Sequence, residues 1–168
     1  MMHCHAYSLA VCLAFWSLSW PAKALDNSNG FNSKIDWKLP EDLEAMDLSG
    51  NTKPLLYLFS MPTCGACKRL KAEFTGTAGK KLVRVSKEYI MINISGDAEN
   101  SKFSKDYAPD GGYIPRILYA QPDGTLRPEL KNSNAPPKYA YYYSTASQVL
   151  ESMQSVHKAL QKPAHTEL

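Results

Sequence analysis

The chain has 168 residues, a length that suggests one folded domain, and 44% of them are hydrophobic, which is enough to form a sizeable core. Its 19 basic and 16 acidic side chains give a formal net charge of +3. A charge so close to balance gives no reason to expect nucleic acid or an anionic membrane as a partner.

The first 24 residues are typical of a secretory signal peptide. Residues 6–20 form an apolar, almost uncharged stretch, and Ala22 and Ala24 supply small residues where signal peptidase cleaves. An uncleaved membrane anchor is the alternative, but the apolar stretch is short for a helix that crosses a bilayer. We therefore expect cleavage before Leu25 and no membrane span in the mature chain.

The next segment leads into the first regular elements. Residues 25–36 are polar and are predicted to form a flexible lead-in. A short helix opens at Pro40, and the strand Leu55–Phe59 follows it. Because that strand is apolar on both faces, we expect it to be a central strand that is covered on both sides.

Cys64 and Cys67 form a C-x-x-C motif between this strand and a helical pattern that begins at Lys68. The positive end of a helix favours a thiolate, so the pKa of Cys64 should fall, and a thiolate is the form that attacks disulfides. Cys67, Leu70 and Phe74 recur at helical spacing, which predicts that Cys67 points inward while Cys64 lies at the exposed start.

Two other interpretations of the motif are weaker. A zinc site needs four ligands, yet signal cleavage would leave no cysteine beyond this pair, and neither His157 in a predicted helix nor His165 in the tail completes a site. The second alternative is that both cysteines are inert core residues. Inert cysteines would have no reason to place Cys64 at the start of a helix. The pattern therefore favours a reversible redox dithiol without a metal.

The rest of the chain alternates strands, turns and one long helix. Strands are predicted over residues 89–94, 116–120 and 139–143, and a short hairpin strand is predicted over residues 125–127 after the turn Pro122-Asp123-Gly124. An apolar stripe from Ala146 to Leu160 predicts the final helix, with a capping box formed by Thr145 and Gln148.

Three polar features allow more than one interpretation. Arg116 could lower the pKa of a cysteine or dock a substrate carbonyl, or it could be a solvated charge at a strand end. The sequon that begins at Asn93 lies on a predicted interior strand, where glycan transfer is hindered. The tyrosines of residues 139–143 could contact a peptide, although half-buried packing is the commoner role of tyrosine in strands.

The C-terminal residues His165–Leu168 resemble the tetrapeptides by which a retrieval receptor returns proteins to the endoplasmic reticulum. Thr166 stands where aspartate is usual. Together with the signal peptide and the redox motif, this tail, residues 162–168, predicts a location in the lumen of the endoplasmic reticulum.

The C-x-x-C motif after a strand and the later Ile114-Pro115 resemble the thioredoxin fold. The run from residue 109 to 118 is similar to the family of small thioredoxin-fold proteins of the endoplasmic reticulum that includes thioredoxin domain-containing protein 12 and the anterior gradient proteins. The resemblance implies an α/β fold, with a single thioredoxin-like domain over residues 37–161 whose central mixed β-sheet is flanked by α-helices. It also implies a cis Ile114–Pro115 bond beside the dithiol, where both residues bind substrate.

This resemblance, with the dithiol, predicts a thiol–disulfide oxidoreductase in which Cys64 attacks and Cys67 resolves the mixed disulfide. We expect no bound cofactor, glutathione as the redox co-substrate, and secretory client proteins as partners. Two positions depart from the family pattern, because Thr63 replaces a common tryptophan and Leu58 replaces the buried acid of many thioredoxins. The alternative is therefore a weakly catalytic or non-catalytic protein that binds clients.

Overall fold

The computed structural model describes residues 26–96, 103 and 105–161, so the predicted signal peptide and the predicted retrieval tail lie outside the described residues. The strands are β1 (Trp37–Lys38), β2 (Leu55–Ser60), β3 (Ile90–Ser95) and β4 (Arg116–Ala120), and the helices are α1 (Pro40–Glu44), α2 (Gly65–Glu73), α3 (Thr77–Val85) and α4 (Ala146–Gln161). In this part of the chain no helix has the length and hydropathy needed to cross a membrane.

The four strands form one mixed sheet in the order β1-β3-β2-β4. Strands β1 and β2 run parallel to β3, and β4 runs antiparallel to β2. Every residue of β2 is buried, as its apolar pattern on both faces predicts. The sheet with helices packed on it confirms the predicted fold class, a single thioredoxin-like α/β domain.

Helices α2, α3 and α4 cover one face of the sheet. Their apolar side chains pack against the side chains of β2 and β4 that point to that face; the helical members include Leu70, Leu82, Val149 and Met153, and the sheet members include Leu56, Leu58, Ile117 and Tyr119. The opposite face packs against Leu43 of α1 and against aromatic residues of the loops. Strand β2 is thus enclosed on both faces, and its carboxyl end leads directly into the C-x-x-C motif.

The final helix begins with only half of the predicted capping box. The Gln148 backbone N–H donates to Thr145 Oγ1 at 3.2 Å, as expected. The Gln148 side chain accepts instead from the backbone N–H of Ser144 at 2.9 Å, one residue before the predicted partner. The helix then follows its predicted apolar stripe, because Ala146, Val149, Met153 and Val156 are all buried.

Residues 26–36 are not the flexible lead-in that their polarity predicts, so that prediction is wrong for this segment. The side chains of Phe31 and Ile35 are only 4% and 3% exposed. The Phe31 ring meets the ring of Phe74, the C-cap residue of α2, edge to face, with centroids 5.1 Å apart. Phe31 and Ile35 are two apolar residues among polar neighbours, so they show no helical or strand periodicity that would predict their burial. The residues that cover them lie far away in the sequence.

Asn93 joins this segment to the sheet from a fully buried position on β3. Its Nδ2 donates to the carbonyl oxygens of Asn27 at 3.0 Å and Ser28 at 2.7 Å. Both amide hydrogens are used in the core, so the folded domain offers no side-chain amide at Asn93 for glycan transfer. This agrees with the hindrance expected for a sequon on an interior strand.

The predicted edge strand over residues 139–143 is wrong. A 3₁₀ turn, Pro137–Tyr139, stands at its start, and irregular chain follows. The two successive prolines, Pro136 and Pro137, lack the N–H that a strand ladder needs, which favours a turn. The predicted hairpin after residue 122 is likewise reduced to a single antiparallel bridge between Ala120 and Leu126.

We predict that Gly79→Ala destabilises the domain at the junction of α2 and α3. A Cβ at residue 79 would lie 1.9 Å from the Phe74 carbonyl oxygen, which already accepts a hydrogen bond from Asn32 Nδ2 at 2.9 Å. The chain has to shift to avoid this contact, and the shift should lower the free energy of unfolding, measured by urea denaturation, by about 1–3 kcal/mol. Gly50→Ala is the matched control, because nothing lies within 4 Å of its added methyl group. Equal stability of the two variants would contradict the clash.

Candidate redox site

Cys64 and Cys67 occupy different environments although they lie one helical turn apart. Cys64 is the N-cap residue of α2 and is half-buried, whereas Cys67 is 0% exposed. The Cys67 backbone N–H donates to Cys64 Sγ at 3.1 Å. The free N–H groups of a helix N-terminus favour negative charge, so the fold aims such groups at the more accessible sulfur. The predicted positions of both cysteines are confirmed.

Burial keeps Cys67 in its thiol form at neutral pH. Desolvation raises the pKa of Cys67 to about 12, and its hydrogen bond with Cys64 acts in the same direction. A backbone hydrogen bond from Met61 and the charge of Lys71 act in the opposite direction. Cys67 therefore needs help to ionise when it has to attack a mixed disulfide.

The loop that precedes β4 brings the other two predicted site residues to the dithiol. The Ile114–Pro115 peptide bond is cis, as predicted. Cys64 Sγ lies 3.8 Å from the Ile114 carbonyl oxygen and can donate a weak S–H hydrogen bond to it. Ile114 is half-buried and Pro115 is buried, so the backbone before the proline forms one wall beside the accessible sulfur.

Arg116 has a structural environment that its place beside Pro115 does not reveal. Its side chain is 4% exposed, so it is not a solvated charge at a strand end. The guanidinium donates to the carbonyl oxygens of Tyr107 at 2.9 Å and Tyr113 at 3.1 Å and lies 4.0 Å from the centroid of the Phe59 ring. Bonded in this way, Arg116 holds the loop before the proline. It is not among the groups that act on the pKa of Cys67.

Asp110 and Tyr113 fasten the same loop to residues 140 and 141. One carboxylate oxygen of Asp110 accepts from the Tyr113 hydroxyl at 2.8 Å and from the Ala140 backbone N–H at 2.7 Å. The Tyr113 hydroxyl accepts in turn from the Tyr141 backbone N–H at 2.9 Å. Sequence reasoning missed these supports, because the only available signal was a polar Asp110 inside a loop.

The buried acid of many thioredoxins has no counterpart beside Cys67. Leu58 is fully buried on β2 and packs in the same apolar cluster as Leu70 of α2. No carboxylate among the described residues contributes to the pKa of Cys67. The described residues also contain no group of three or more His, Cys, Asp or Glu side chains that could hold a metal ion.

The sequence of this chain is similar to those of anterior gradient proteins, which confirms the predicted resemblance. It is 27% identical to anterior gradient protein 1 of Xenopus tropicalis over 82% of this chain and 70% of that protein. It is 23% identical to the human anterior gradient protein 2 homolog over 79% of this chain and 73% of that protein. No family model matches the chain.

Solved structures similar to the chain include two thioredoxin-related proteins. Thioredoxin f from spinach chloroplast gives a TM-score of 0.48 at 14% identity and covers 72% of this chain and 84% of its own. A disulphide isomerase from Xylella fastidiosa gives a TM-score of 0.44 at 19% identity and covers 63% of this chain and 79% of its own. The fold assignment itself follows from the strand order and from the helices on the sheet.

We predict that Asp110→Ala loosens the wall beside Cys64 without unfolding the domain. The Ala140 N–H and the Tyr113 hydroxyl would lose their acceptor, which should lower the free energy of unfolding by about 1–3 kcal/mol. Amide hydrogen exchange at Ala140 should accelerate. Glu44→Ala removes an exposed carboxylate at the end of α1 and serves as the control. Unchanged exchange at Ala140 would contradict this role for Asp110.

Proposed function

We propose that this protein is a thiol–disulfide oxidoreductase that acts on secretory client proteins with glutathione as its redox partner. The observation that carries the proposal is the asymmetric dithiol, in which an accessible Cys64 caps a helix beside the Ile114 carbonyl while Cys67 lies buried behind it. An accessible attacking sulfur next to a protected resolving sulfur is what a two-step disulfide exchange requires.

The cycle begins when the Cys64 thiolate attacks one sulfur of a client disulfide. A Cys64–client disulfide forms, the client's own disulfide breaks, and its other sulfur leaves as a thiolate that takes up a proton. The Cys67 thiolate then attacks Cys64 Sγ, and the second client sulfur leaves. The client gains two electrons and two protons, and the Cys64–Cys67 disulfide forms. Two molecules of glutathione then return the pair to the dithiol and are oxidised to one glutathione disulfide. The reverse sequence oxidises a client dithiol.

The lumen of the endoplasmic reticulum is the proposed site of action. The similarity to anterior gradient proteins supports this location, as do the apolar N-terminal stretch and the tail His165–Leu168. That compartment holds both nascent disulfides and glutathione, and the reduction potential of the Cys64–Cys67 pair relative to the lumenal poise sets the net direction of exchange.

A second candidate function is client binding with little turnover. A cavity of about 330 Å³ lies beside the cis-proline loop and is lined by Tyr113, Ile114, Pro136, Tyr139 and Tyr142. Tyr139 is 42% exposed there, so an apolar client side chain has an aromatic surface to contact. The raised pKa of Cys67 and the leucine at residue 58 favour slow resolution, which would prolong client binding.

Substitution of each cysteine in turn separates the two functions. We predict that Cys64→Ser abolishes insulin reduction in the presence of glutathione, because the accessible nucleophile is lost. Cys67→Ser should also lose turnover, but it should accumulate mixed disulfides with clients or glutathione that mass spectrometry detects. Alkylation of the reduced wild-type protein near neutral pH should modify Cys64 well before Cys67, because Cys67 is buried and protonated.

The outcomes decide between catalysis and binding. Equal alkylation of both thiols and no mixed disulfide in Cys67→Ser would contradict the proposed enzyme. Retained client binding in a Cys64→Ser/Cys67→Ser double variant, with negligible insulin reduction by the wild type, would favour the binding function instead.

We predict that deletion of residues 165–168 sends the protein into the culture medium of secretory cells. The full-length chain should remain in the endoplasmic reticulum, because a retrieval receptor reads its tail. Thr166→Asp should strengthen retention, since aspartate is usual at that position. Immunoblots of cells and medium measure the distribution, and equal retention of the truncated and full-length chains would show that the tail is not a retrieval signal.

A further inference from the structure

No residue described so far explains how Cys67 ionises in the resolving step. Cys67 must become a thiolate to attack the mixed disulfide, yet desolvation raises its pKa to about 12. Leu58 occupies the position on β2 where a buried acid could have taken the proton. Some other group has to favour the thiolate if resolution is to proceed at neutral pH.

Lys71 lies on the Cys67 face of α2, four residues further along the helix. Residues at this spacing are neighbours, with Cβ atoms about 5–6 Å apart. Lys71 is half-buried. A lysine on the surface of a helix normally extends its charged end into water. No carboxylate of the described residues pairs with Lys71, so no counter-ion there neutralises its charge.

The N-terminal segment holds the Lys71 side chain in place. Its Nζ lies 5.2 Å from the centroid of the Phe31 ring, within the range of a cation–π contact. A Cβ built on Gly30 would lie 3.6 Å from Lys71 Cδ and 3.9 Å from Nζ, so the backbone at residue 30 adjoins the end of the side chain. Gly30 has a φ of +82°, a conformation that glycine adopts readily. Residues 30 and 31 thus form a cover over Lys71.

Among the described residues, two ionisable groups act on the pKa of Cys67. Cys64 raises it and Lys71 lowers it. Cys67, Cys64 and the exposed Lys68 act on Lys71, whose pKa desolvation lowers. Lys71 is therefore the one cationic group among the described residues whose charge reaches Cys67.

We propose that Lys71 serves as the electrostatic partner of Cys67 and stabilises its thiolate in the resolving step, in place of the missing buried acid. This inference deepens the proposed function and rests on it for its role in turnover. The geometry that carries it is the shared face of α2, together with the cover that Phe31 and Gly30 place over the ammonium group. Lys71 is a positioning residue here, because it favours one charge state of Cys67 and forms no bond itself.

The step balances without any further reactant. The Cys67 thiol loses its proton to solvent while the Lys71 ammonium keeps its own. The Cys67 thiolate forms a bond to Cys64 Sγ, the bond between Cys64 and the client sulfur breaks, and the electron pair leaves with that sulfur. The released client thiolate takes a proton from solvent, so the dithiol is oxidised and the client is reduced.

Two measurements test the partnership on three variants. The first follows the release of glutathione from a preformed Cys64–glutathione disulfide as a function of pH. The second follows alkylation of Cys67 in a Cys64→Ser background and needs no catalysis. Lys71→Met removes the charge and keeps an unbranched apolar stem, Lys71→Arg keeps the charge, and Lys81→Met removes an exposed charge from α3 as the control.

We expect Lys71→Met to slow both reactions about tenfold near neutral pH, equivalent to about one unit in the pKa of Cys67. Lys71→Arg and Lys81→Met should stay within about threefold of their parent proteins. A loosened structure would instead expose Cys67 and speed its alkylation, so the direction separates charge from packing. Wild-type rates in Lys71→Met, faster alkylation in that variant, or equal slowing in Lys71→Arg, would overturn the proposal.

The two proposals fail separately. Absence of insulin reduction by the wild type would remove the proposed function, while a response of Cys67 alkylation to Lys71→Met would still establish the charge partnership. Normal insulin reduction with no response to Lys71→Met would leave the function intact and remove Lys71 from its mechanism.

Discussion

Burial of β2 on both faces is the constraint on which the rest of this structure depends. Its six residues carry no charge and are all buried, so each face requires its own layer of side chains. Helices α2, α3 and α4 provide one layer, and α1 with the loop aromatics provides the other. Because β2 is held so firmly, the chain that leaves it at Ser60 presents Cys64 at a fixed point above the sheet.

The chemistry of the site follows from how one helical turn divides the dithiol between two environments. Cys64 stands at the helix start, where backbone N–H groups lack helical partners, and Cys67 lies under the next turn against the core. The same burial that protects Cys67 from solvent also opposes its ionisation. In the proposed resolving step, some group has to stabilise the Cys67 thiolate, and the apolar Leu58 cannot do so.

Two segments distant in sequence complete the site, and both were misread from local pattern. Residues 26–36 look like a polar lead-in, yet Phe31 reaches α2 and covers Lys71. Residues 139–143 look like a strand, yet they form the anchor to which Asp110 and Tyr113 fasten the loop before Pro115. In each case the residues that the segment contacts lie in another part of the chain. The periodicity of the segment itself therefore does not predict its role.

The sequence alone determined the features that arise from local order. Apolar runs and helical spacing were enough to predict β2, β4, the inward face of α2 and the final helix. The cis Ile114–Pro115 bond beside the dithiol was implied by the resemblance to the thioredoxin fold. Only the tertiary structure decided where Arg116 and Lys71 act. A long cationic side chain has no periodic pattern in the sequence, so its role depends on which distant residues surround it. Tyr107 and Tyr113 surround Arg116 in this way, and Phe31 covers Lys71.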